Sequence, residues 1–131
     1  MREQDLDILR SVVNTRGGFG HQAHLELTWR YLQMYEPGEA QRAVATAIRH
    51  LASTHGAPDK YHETITRCWV HLVALHRAES DAGSFDEFIA ENRGLLDRRL
   101  LDAHYSPELI SSPRARIRWT EPDLRDLPHV A

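Results

Sequence analysis

The chain holds a single cysteine, Cys68, and a single lysine, Lys60. One cysteine excludes an intramolecular disulfide and any thiolate-rich zinc or iron–sulfur site built from one copy. The remaining basic residues are all arginine, a composition typical of a GC-rich bacterial genome. Positive charge is also in deficit: the formal net charge is -3 and the pI about 6.3. A general binder of phosphate backbones carries a basic footprint, and no convincing basic recognition helix is present, so nucleic acid is not an expected partner. No apolar run approaches the roughly 20 residues of a membrane span, and residues 1–13 lack the apolar centre of a signal peptide. The expected compartment is the cytoplasm, with no membrane partner.

Strand signals are equally scarce. Period-two alternation is not sustained anywhere, whereas apolar residues recur at spacings of three and four. With 131 residues, 41% hydrophobic and 27% charged, the chain suits one globular core. The expected fold is therefore a single all-α domain over 1–131. It comprises a short helix and loop (1–18), a bundle core (19–105) and an irregular C-terminal arm of short helical turns (106–131).

Punctuation residues divide this expectation into elements. A first helix over Asp5–Val13 stops at Asn14-Thr15-Arg16-Gly17-Gly18, and a second runs from about Gly20 to Tyr35. A third starts with Pro37 in its first turn, carries the small inward stripe Ala40, Ala43, Val44, Ala47 and Leu51, and ends near Gly56 and Pro58. The fourth, about Asp59–Glu79, takes Asp59 as cap and turns Ile65, Trp69, Val73 inward. Ser84 with Glu87 forms a capping-box pattern for a fifth helix that bends at Asn92-Arg93-Gly94 and resumes over Leu95–Tyr105. Prolines 107, 113, 122 and 128 restrict the arm to short turns anchored by Trp119.

Nine histidines stand at positions 21, 24, 50, 55, 62, 71, 76, 104 and 129. If helices two to five alternate up and down, the starts of helices two and four and the ends of helices three and five share one end of the bundle. Six histidines (21, 24, 50, 55, 62, 104) would then gather there. At about 100° per residue, His21 and His24 lie about 60° apart, and His62 falls near the Trp69 face. These three imidazoles form a candidate ligand set for a divalent transition metal (zinc, iron or copper) with an open position. Glu63, Tyr61 and His104 are the candidate proton-handling or orienting groups. His50 and His55 read as complements to a helix C-terminus, His71 as solvent-facing and His76 as a buried packing residue.

Several constellations fall short. Cys68 lacks a positioned base and reads as a small apolar residue. Trp29, Trp69 and Trp119 read as core, and Arg114, Arg116 and Arg118 as solvated surface. Gly17-Gly18-Phe19-Gly20 has the composition of an anion-cradling loop ahead of a helix, but lacks a P-loop lysine and a preceding strand. The arrangement resembles helical-bundle metalloproteins only in general design, since it has neither a Glu-x-x-His pair nor His-Glu-x-x-His. Two readings follow: a small metal-dependent protein or enzyme acting on a small organic substrate, hydrolytic or oxidative, and a non-catalytic helical interaction module, dimeric through the alanine-rich third helix or the C-terminal arm, with structural or pH-sensitive histidines.

Overall fold

The computed structural model describes residues 1–129, and within them every regular element is helical. Four helices make the body: α1 (Glu3–Arg16), α2 (His21–Leu32), α3 (Pro37–Thr54) and α4 (Glu63–Ala78). A shorter α5 (Phe85–Glu91) is followed by 3₁₀ segments at Arg93–Leu96 and Arg98–Ala103, then by α6 (Pro107–Ile110) and α7 (Pro113–Ile117). No helix is long and apolar enough to cross a membrane among the described residues.

The core is organised around α2, which touches α1, α3, α4 and α5. It is buried on nearly every side through Ala23, Leu25, Leu27, Thr28, Tyr31 and Leu32, the pattern of a helix at the centre of a bundle rather than on its surface. The alanine stripe of α3 is consumed internally: Ala40, Val44 and Ala47 are fully buried, with α2 and α4 packed on them. Small side chains there permit close helix approach within one chain. Cys68 is fully buried as well, and burial pushes its thiol up to about 11.

Local chemistry explains most boundaries. α1 runs past Val13 to Arg16 because Gly17 closes it in the left-handed conformation (φ 71°), with Gly18 N–H donating to the Val13 carbonyl, a Schellman-type end. Ser84 caps α5 by accepting from Glu87 N–H, while the Glu87 carboxylate accepts from Gly83 N–H rather than closing the box on Ser84.

Two expectations need correcting. Asp59 does not cap the fourth helix; residues 58–60 form a 3₁₀ turn, Tyr61 and His62 are extended, and His62 is the cap. Nor does a helix resume over 95–105. Asp97 accepts from Arg99 N–H and splits the segment into two 3₁₀ pieces, leaving Leu95 and Leu101 buried but Leu96 and Leu100 exposed.

The C-terminal arm is held by polar bonds to backbone. Tyr105 donates from its hydroxyl to the Thr120 carbonyl at 2.6 Å. Thr64 donates to the Arg118 carbonyl and accepts from Thr120 N–H. Arg116 reaches the carbonyls of Asp59, Lys60 and Tyr61 at 3.2–3.4 Å. Trp119 is half-buried beneath the Arg67 guanidinium, 5.1 Å from the ring centroid.

Candidate functional site

One cleft of about 680 Å³ lies where the start of α2, the second half of α3, the start of α4 and the second 3₁₀ segment meet. His21, His24 and His62 all line it, together with Tyr61. The fold thus brings to one cleft three histidines up to 41 positions apart in sequence. What the rings do inside that cleft differs from one to the next.

His62 has no free nitrogen. Its Nδ1 accepts from Ile65 N–H at 3.1 Å, which caps α4, and its Nε2 donates to the Ile110 carbonyl at 2.7 Å. A neutral imidazole offers one donor and one acceptor, so the two bonds exhaust the ring and leave no lone pair for a metal. His21 donates from Nε2 to the Leu95 carbonyl at 2.8 Å and packs edge-on to Trp69, with ring centroids 4.4 Å apart. Its remaining lone pair is on Nδ1. Burial, followed by the nearby Arg98 charge, holds His21 below the usual histidine range against the opposing Leu95 bond; burial does the same for His62.

His24 is the exception. Its Nε2 is sealed from solvent and, among the described residues, is the one buried side-chain nitrogen or oxygen without a hydrogen-bond partner. Desolvation, with a smaller contribution from His21, depresses its pKa to about 4. The ring is therefore neutral at ordinary pH.

The other candidates divide. Tyr61 lines the cleft, but its hydroxyl donates to Glu63 Oε1 at 2.6 Å and its ring lies beneath Arg49. Glu63 is drawn outward into ion pairs with Arg49 (3.4 Å) and Arg67 (3.9 Å) and does not line the cleft. His104 is directed to the arm, its Nδ1 donating to the Arg125 carbonyl. Among the described residues, no three His, Cys, Asp or Glu side chains are grouped as a metal site requires. The set His21, His24 and His62 shares a wall without presenting three open nitrogens to one point.

His50, His55, His71 and His76 lie elsewhere, and exposed His129 bonds, among the described residues, only to the nearby Leu127 carbonyl. His50 and His55 are exposed. His71 is half-buried and donates to the Pro128 carbonyl. His76, expected in the core, is exposed and bonded to Asn92.

Sequence reasoning passed over the charged rim. Lys60, Arg98 and Arg99 line the cleft, with Asp102 as the one acid among the lining residues. Asp97 engages Arg99 at 3.1 Å, whereas Lys60 and Arg98 make no ion pair among the described residues. The available signal was the sole lysine next to Tyr61-His62 and the Arg98-Arg99 doublet, but nothing local joins the two. Compared with known proteins, the chain matches no family model, and no curated protein or solved structure is significantly similar to it.

Proposed function

We propose that this protein binds a small organic molecule in the cleft between α2, α4 and the 98–103 segment. The observation that carries the reading is the unpartnered, buried Nε2 of His24 in the wall of that cleft. Buried polar atoms in folded proteins are nearly always hydrogen-bonded, and leaving one unpaired costs about 1–3 kcal/mol. A ligand that displaces the cleft wall enough to reach this nitrogen relieves that cost.

The size and lining support the same reading. Small-molecule sites are typically concavities of about 300–1,000 Å³ with apolar walls and a few convergent polar groups. Here Ile48, Ile65, Trp69 and Leu101 supply the walls within about 680 Å³. His24 acts in recognition rather than as a general base, since an effective catalytic base has a pKa near the working pH and this one lies at about 4.

The test is a fragment screen against the full chain, read by NMR of the histidine and tryptophan side chains. Binding at this cleft produces saturable shifts at His24 and Trp69 while His50 and His55 stay still. A screen that moves none of the cleft resonances, with the fold intact, overturns the proposal.

A further inference from the structure

We infer that the cleft selects an organic anion, a carboxylate carried on a flat apolar body. This rests on the cleft being a ligand site and adds the charge and shape of its occupant.

Charge at the cleft is opposite in sign to that of the whole chain. The chain as a whole carries a formal charge of -3, yet the cleft presents Lys60, Arg98 and Arg99 against Asp102 alone. Arg99 is held by Asp97; Lys60 and Arg98 are exposed, with no carboxylate partner among the described residues. Unpaired cations at a concave site concentrate field toward whatever enters it. Arg98 in particular offers the paired donors of a guanidinium, which match the two oxygens of a carboxylate.

A second contribution comes from α2. The glycine-rich segment noted in the sequence delivers the chain to Gly20, which caps this 12-residue helix without any side-chain hydrogen bond. Gly20, His21 and His24 line the cleft, so the N-terminal turn with its uncapped N–H groups borders the same space. Helix N-termini favour negative charge. His24, whose Nε2 is buried without a hydrogen-bond partner, belongs to this same first turn.

The walls favour a flat apolar body. Trp69 lies against His21 and Phe19 lies beside His24, ring centroids 6.2 Å apart in the latter pair. Ile65, Leu101 and Ile110 complete an apolar lining. A flat ring system fits between such surfaces with its carboxylate toward Arg98, Lys60 and the start of α2.

A charge series on one body tests this. Naphthalene-2-carboxylate, 2-naphthylmethanol and 2-naphthylmethylammonium are titrated into the full chain, with affinity from calorimetry and location from the His24 and Trp69 resonances; inorganic phosphate serves as a bare anion. The carboxylate binds roughly tenfold or more tightly than the alcohol, the ammonium is weakest, and phosphate fails to match the carboxylate. Arg98→Gln and Lys60→Gln each weaken the carboxylate several-fold and leave the alcohol unchanged. If the alcohol or ammonium matches the carboxylate while shifting the same resonances, the anion inference falls and the ligand site stands. Phosphate moving those resonances with equal affinity overturns the apolar body. If none of the probes moves them, the ligand-site reading falls too.

Discussion

The ring of His62 links two distant parts of the chain: its Nε2 donates to the Ile110 carbonyl 2.7 Å away and 48 positions along, while Nδ1 caps its own helix. One side chain therefore both starts α4 and fastens α6 to it. His62→Asn preserves a capping oxygen but loses the reach to Ile110, whereas His62→Ala loses both. We expect about 1 kcal/mol of destabilisation from loss of the cap and a further contribution from the orphaned carbonyl, with His62→Ala the worse variant in urea unfolding. Because neither nitrogen is open, zinc affinity measured on untagged protein should be the same in the wild type and His62→Asn. A stoichiometric site lost only in the variant would contradict the assignment of both nitrogens.

Neutral burial of His24 makes stability depend on acid. Its folded pKa is about 4 against an ordinary 6.5, so below 6.5 the unfolded chain binds a proton that the folded chain refuses. The stability associated with the neutral ring is fully present above about pH 6.5 and is lost as pH falls toward 4. By linkage the gap corresponds to about 3 kcal/mol. His21 and His62 are shifted in the same direction, chiefly by burial, and add to the same trend. Urea midpoints at pH 7, 5.5 and 4.5 should fall more steeply for the wild type than for His24→Leu. Parallel curves would refute the buried neutral ring.

Tyr105 and Thr64 hold the C-terminal arm against the bundle. Both are buried, and their hydroxyls serve the backbone of residues 118–120. Tyr105→Phe leaves the Thr120 carbonyl without its donor, and Thr64→Val removes one donor and one acceptor at once. Each should cost about 1–3 kcal/mol. Hydrogen exchange should show protection lost first in the arm, with α2 and α4 little changed. Uniform loss across the molecule would mean that the arm is not a separable layer.

The end of α1 depends on Gly17. Its φ is 71°, a conformation that costs a residue bearing Cβ about 1–2 kcal/mol, although no atom lies within 4 Å of the position a Cβ would occupy. Gly17→Ala should lower stability by that amount, and Gly17→Asn by less. Thermal unfolding of the two variants checks the order.

Much of the fold is legible in residue spacing, because helix burial repeats every three to four positions regardless of what lies opposite. Trp69 and Val73 on α4 reveal its inward face without any partner being known, whereas α2, buried on nearly every side, has no single face for spacing to mark. Ser84 likewise announces the start of α5, since capping needs only a hydroxyl and the N–H three residues on. The 97–103 stretch misleads because leucine spacing suits an α-helix, while Asp97 satisfies its backbone locally and divides it into 3₁₀ turns.

The sequence alone determined that helices form and where the histidines stand along them. Tertiary structure decided what each imidazole does there. His21, His62 and His104 are held by the carbonyls of Leu95, Ile110 and Arg125, and every residue type carries the same carbonyl, so no spacing of side chains records the pairing. Only the folded arrangement distinguishes a histidine already bonded to backbone from His24, whose Nε2 remains without a partner.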